Sequence, residues 1–127
     1  MKIGLDIHGV IDALPHIFSQ LAALLISNGH EVHILTGHAI NEKLITELKR
    51  LNIQYTHLFS ITDYHRQNGT NMSFDHKGNP WMSDDDWDKT KAEYCKREGI
   101  DLHIDDSNKY GKYFTTPYAK LSISHEE

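Results

Sequence analysis

Asp6, Thr36, Asp105 and Asp106 each stand at the end of a short apolar run, and Lys89 and Lys91 stand just upstream of the last of these runs. Together these side chains suit the handling of a phosphate group. Paired carboxylates can hold a hard, octahedral cation such as Mg²⁺. The metal and a lysine offset the charge of a phosphate and of its transition state. A hydroxyl such as that of Thr36, with the amides that follow it at Gly37 and His38, can bind phosphate oxygens. One further carboxylate can attack phosphorus and form an aspartyl phosphate. His8 lies two residues after Asp6. An imidazole, with an ordinary pKa of about 6.5, can serve as both acid and base at neutral pH.

Each residue alone has a plainer use. Asp6 could be a turn residue, and Thr36 could satisfy backbone amides at a strand end. Asp105 and Asp106 could cap a helix starting near Asn108. Either lysine could be solvated, and one of the two is expected to face the site. The ten histidines include no His-x-x-x-His pair on a credible helix, and Cys95 has no second cysteine to join it; this argues against a transition-metal centre. His33 and His103 read as packing residues. His16 and His38 lie near strand ends, where either could touch substrate. Asp84-Asp85-Asp86 reads as a charge run at a helix N-terminus.

The elements that must bring these groups together follow from periodicity. Lys2–Asp6, Glu31–Thr36, Gln54–Ile61, Ile100–Asp105 and Tyr118–Ile123 read as strands, the last at a sheet edge. Pro15 opens a helix carrying Ile17, Phe18, Leu21, Leu24 and Leu25, which Asn28-Gly29 stops. Asn41 caps a second, with Leu44, Ile45, Leu48 and Leu51 on one face. A third runs from Ser83 or the following acids to Glu98, with Ala92 and Cys95 on its buried side and Gly99 beyond. Strands alternating with helices imply an α/β fold: a doubly wound, Rossmann-like parallel sheet of about five strands with helices on both faces. Ligands bind such sheets at the carboxyl ends of the strands.

Residues 63–86 break this pattern. They are polar, hold Gly69, Gly78 and Pro80, and lack helical periodicity. Met72–Asp75 and Pro80–Ser83 flank His76-Lys-Gly-Asn79 as a small hairpin. The stretch reads as a lid or mini-cap inserted in a single domain spanning 1–127, with a surface excursion as the plainer alternative. Tyr64, His65, Phe74, Trp81 and Trp87 could stack on a base or sugar, or could form the lid's own core.

The chain's 127 residues carry a formal charge of −5, so nothing global attracts nucleic acid or an anionic membrane. An acidic protein that handles phosphates needs a local device such as a metal ion. A single cysteine excludes an internal disulfide and fits a reducing cytoplasm. Asp6 and His8 interrupt the N-terminal apolar run too early for a signal peptide, and Leu21–Ile26 is too short to span a bilayer.

In order, these motifs resemble the haloacid dehalogenase superfamily of phosphohydrolases over nearly the whole chain. Its Asp-x-Asp-x-Thr/Val motif is matched by Asp6-Ile-His-Gly-Val10, its strand ending in Thr or Ser by Val32-His-Ile-Leu-Thr36, and its acidic pair by Leu102-His-Ile-Asp-Asp-Ser107. The helix Lys91–Asp101 is similar to the lysine-bearing helix of small members. The resemblance implies Asp6 as nucleophile and metal ligand, Thr36 as phosphate ligand and Lys91 as partner of Asp6. It implies Asp105 and Asp106 as Mg²⁺ ligands, with the His8 backbone carbonyl as a further one. His8 stands where the family has the Asp that protonates the leaving group and then activates water. It either does that proton work or is passive, leaving a weakly active or non-catalytic phosphate- or metal-binding domain. General acid–base help is worth roughly 10²–10⁴-fold in rate. The Ile-Asp-Asp-Ser strand end is similar to that of small nucleotidases, which implies a small phosphorylated substrate, a nucleotide or a nucleic-acid end. A response-regulator receiver uses similar residues but carries its acidic pair on the first strand and its lysine late. The sequence leaves the oligomeric state open.

Overall fold

Alternation along Glu31–Thr36 (β2) sets the two faces of the central sheet, because successive strand residues point to opposite sides. Val32 and Ile34 join the buried cluster that holds Phe18, Ala22 and Leu25 of helix α1 (Pro15–Ser27) and Leu44 and Leu48 of α2 (Glu42–Arg50). Leu35 joins a second cluster with Tyr94 and Cys95 of α5 (Thr90–Glu98) and Ile100. Helices therefore cover both faces, as the near-continuous apolar strands of a parallel sheet require. The computed structural model describes residues 1–123. His125 lies outside the described residues.

The sheet contains β1 (Lys2–Leu5), β2, β3 (His57–Ser60), β6 (Leu102–Asp105) and β7 (Tyr118–Lys120) in the order β3-β2-β1-β6-β7, all parallel. The order reverses at β1: the chain first builds outward through β2 and β3, then crosses back to add β6 and β7. The α/β class and the five parallel strands expected from the sequence are the ones observed. Between β3 and β6 lie α3 (Ile61–Gln67), the antiparallel hairpin of β4 (Ser73–Phe74) and β5 (Pro80–Trp81), and α4 (Asp84–Asp88). No helix among the described residues is long and apolar enough to cross a membrane.

Three local expectations need correction. The third strand ends at Ser60, where the Ser60 hydroxyl accepts from the Asp63 amide at 3.1 Å and starts α3. Seven residues are too few for a periodic signal, so a helix is hidden in the polar stretch. The helix expected up to Glu98 is two segments joined at Lys89. Ile17 and Leu24, placed on the apolar face of α1, are 58% and 63% exposed; Phe18, Ala22 and Leu25 face the core instead. Asn41 does cap α2, its side chain accepting from the Leu44 amide at 2.9 Å, and Gly99 ends α5 in a left-handed conformation, φ +68°.

Candidate active site

Register brings the strand ends to one edge. Leu5 pairs with Ile34 on one side and Ile104 on the other. Asp6 therefore follows β1 at the level where Thr36 closes β2 and Asp105 closes β6, at the point where strand order reverses. Lys91, at the start of α5, reaches this edge from one face. Its ammonium donates to Asp6 Oδ1 at 3.0 Å and to Asp105 Oδ2 at 2.8 Å. It is 2% exposed, and the Tyr110 ring lies over it, 5.1 Å from Nζ to the centroid. Lys89 lies outside, 3.6 Å from Asp85 and 3.7 Å from Asp86 on the same helical stretch. The choice between the two lysines follows directly: only Lys91 is in the cluster.

Asp6, Asp105 and Asp106 can each present one oxygen such that all three lie within 4.8 Å of one another. Asp106 comes this close because position 9 has no side chain. A Cβ on Gly9 would run into the Asp106 carboxylate, and Gly9 has φ +89°, which favours glycine independently. Thr36 is fully buried, and its hydroxyl oxygen accepts from the His38 amide at 3.2 Å. The Ser107 amide donates to Asp105 Oδ1 at 3.2 Å. The acidic pair caps no helix: the short 3-10 turn Gly111–Tyr113 that follows has Tyr110 at its N-cap and no side-chain cap.

The electrostatics are uneven. Burial pushes the Asp6 carboxyl up to about 7 despite the Lys91 ammonium, with Asp105 adding to the rise. Burial also acts to raise Asp105, but the hydrogen bond from His103 and the charge of Lys91 outweigh it and hold Asp105 well below the usual carboxylate range. Burial works against the Lys91 charge, and the two carboxylates reverse that and raise its pKa. His103 is fully buried and donates from Nε2 to Asp105 Oδ2 at 2.9 Å. Gly4 makes room for it, since a Cβ there would sit 2.6 Å from His103 Nδ1. His103 is therefore more than packing. Three carboxylates face one ammonium. With all three ionised, two negative charges are left over in a site of hard oxygen donors, which fits a divalent cation such as Mg²⁺.

His8 sits in an irregular turn, Ile7–Ile11. Its Nδ1 donates to Asp12 Oδ2 at 3.1 Å, and Glu47 is 3.9 Å away. Asp12 Oδ1 also accepts from the Gly9 amide at 2.7 Å. One carboxylate thus fixes both the imidazole and the turn. The His38 ring meets His8 edge-on, with centroids 4.7 Å apart. Asp12, Gly9 and His103 escaped the sequence reading of the site. The four-residue spacing of His8 and Asp12, and the two-residue spacing of His103 and Asp105 on one strand, were the local signals for two of them.

Two cavities open here. The smaller, about 210 Å³, contains Asp6, Thr36, Lys91, Asp105 and Asp106. The larger, about 660 Å³, adjoins it and shares His8, Gly37, His38 and Trp87. The Trp87 ring packs against Gly37, where a Cβ would approach it to 2.7 Å. Of the aromatic residues singled out in the sequence, only Trp87 lines the cavities. Tyr64 packs on Phe59, His65 is held by Thr70 and Thr90, Phe74 lies under Arg66, and Trp81 faces solvent. His16 lines neither cavity. No family model, curated protein or solved structure matches the chain.

Proposed function

We propose that the protein is a Mg²⁺-dependent phosphohydrolase of the haloacid dehalogenase type, acting on a phosphate monoester through an aspartyl phosphate at Asp6. The observation that carries this reading is the meeting of Asp6, Asp105, Asp106, Lys91 and Thr36 at one sheet edge. When bound, Mg²⁺ supplies charge neutralisation for the phosphate and its transition state. Asp6, Asp105 and Asp106 would hold it, with the His8 carbonyl as a further ligand.

The protein's own groups then divide the work. An oxygen of Asp6 attacks phosphorus as the bond to the leaving alcohol breaks. Lys91 binds one Asp6 oxygen and orients the carboxylate. Thr36 and the amides of Gly37 and His38 bind phosphate oxygens. His8 gives the leaving oxygen its proton and later takes one from the water that cleaves the aspartyl phosphate. Phosphate leaves and Asp6 is restored. Asp12 supports this role for His8 by fixing the ring through Nδ1, which keeps Nε2 for substrate. His103 and Lys91 hold Asp105 as the charged ligand. A small phosphorylated substrate, such as a nucleotide, and a cytoplasmic setting belong to the same proposal. The buried, unpaired Cys95 is consistent with that setting.

Hydrolysis of p-nitrophenyl phosphate with and without Mg²⁺ tests the reading. Turnover should require the cation and vanish in Asp6→Asn. A wild-type rate no higher than that of Asp6→Asn would reject it in favour of a non-catalytic phosphate- or metal-binding domain. His8→Ala should lower the rate by about 10²-fold or more, and His8→Asp should retain activity. Full activity in His8→Ala would remove the proton-transfer role.

A further inference from the structure

We propose that the 660 Å³ cavity beside the phosphoryl site receives the substrate's leaving group, and that this group carries a second negative charge. The inference rests on the phosphohydrolase reading and narrows it to doubly anionic phosphate monoesters. The 210 Å³ cleft is of a size for a phosphate and an ion. The larger cavity lies within the range of small-molecule sites, roughly 300–1,000 Å³. The two share His8, Gly37, His38 and Trp87, so a substrate phosphorylated in one extends into the other.

The charge of the larger cavity runs against that of the chain. The protein carries −5 overall, yet this cavity is lined by Lys43 and Lys77 and by a single acid, Glu47. Glu47 lies 3.9 Å from His8 Nδ1. Neither Lys43 nor Lys77 forms an ion pair among the described residues. The lysines come from separate elements: Lys43 from the first turn of α2, and Lys77 from the turn between β4 and β5.

That turn is built rather than loose. Asp75 Oδ1 accepts from the amides of Lys77 and Asn79, both at 2.9 Å, and its Oδ2 accepts from Asn79 Nδ2 at 3.2 Å. The Asp75 backbone closes the loop with Asn79 and Gly78, each at 3.0 Å. The hairpin is secured to α3 by the Arg66 guanidinium, 4.8 Å from the Phe74 ring centroid. Lys77 is therefore presented by a preorganised turn, which lowers the cost of fixing it on a ligand.

A matched pair, phenyl phosphate and 4-carboxyphenyl phosphate, isolates the second charge. Binding is measured by titration calorimetry in Asp6→Asn with Mg²⁺, and KM in the active protein. Lys43→Ala and Lys77→Ala should each weaken 4-carboxyphenyl phosphate about two- to fivefold, and the double variant about tenfold. Phenyl phosphate should change less than twofold. Circular dichroism confirms that the variants fold, as expected for exposed positions. Equal responses of the two ligands, or wild-type binding by the double variant, would overturn the proposal. Lysine-dependent binding without any turnover would reject the phosphohydrolase reading and leave the cavity as an anion-recognition site.

Discussion

Asp6 is held at an energetic disadvantage, and that can be measured. Its carboxyl is raised from 3.8 to about 7 by burial. Between those values the folded chain keeps a proton that the unfolded chain has released, so Asp6 makes stability fall as pH rises through that window. Asp6→Asn removes this slope while retaining an acceptor for Lys91. Without divalent cation, the variant should gain on the wild type from pH 4 to pH 8, ending ahead by a few kcal/mol in denaturant melts at pH 8. An unchanged difference across that range would mean that Asp6 is not strained. Gly9 carries the opposite prediction. Gly9→Ala meets both the positive φ and the Asp106 carboxylate. It should cost about 1–2 kcal/mol of stability and weaken Mg²⁺ binding in calorimetry, because Asp106 must move. Asp6, Thr36, Asp105 and Asp106 were legible because each ends an apolar run. Asp12 and His103 were not, because their value lies in what they touch, His8 and Asp105.

At the scale of elements, legibility tracks length and regularity. The helices α1 and α2 and the strands β1, β2 and β6 carry whole periods of their pattern, so they could be read. The seven residues of α3 could not, because its start rests on a single Ser60 cap and its burial on Ile61, Thr62 and His65. Which faces of α1 are covered depends on where β2 and α2 lie, which explains the exposure of Ile17 and Leu24. The lysine choice had the same origin: Lys89 joins two helical segments, and only Lys91 falls on the side of α5 that faces the sheet edge. The hairpin was legible through Gly78 and the polar turn. It pairs only two residues on each strand, and such a ribbon is marginal by itself. Its order must come from Asp75 and the Arg66–Phe74 contact. Asp75→Ala should therefore speed amide exchange at Lys77 and Asn79 by at least tenfold while leaving the melting temperature within about 1 °C, since the turn lies outside both cores. A large drop in melting temperature would make the hairpin part of the core fold instead.

For the whole molecule, the sheet concentrates unlike charge at one edge. A chain of net charge −5 holds a cavity lined by Lys43 and Lys77, which form no ion pair among the described residues, and beside it lies a cleft in which three carboxylates gather and two of them share one ammonium. The cleft carries the larger imbalance, and folding alone must bear it. A cation that binds only the folded chain relieves it and stabilises by mass action, about 2.7 kcal/mol at a concentration one hundred times its dissociation constant. For 127 residues that corresponds to a rise in melting temperature on the order of 10 °C. Mg²⁺ should therefore raise the melting temperature of the wild type in a saturable way. Asp105→Asn should abolish most of the rise, because Asp105 is the acid that His103 and Lys91 hold charged. Lys43→Ala and Lys77→Ala should leave it intact, because they serve the neighbouring cavity. A Mg²⁺ response equal in Asp105→Asn and wild type would place the cation elsewhere on the protein.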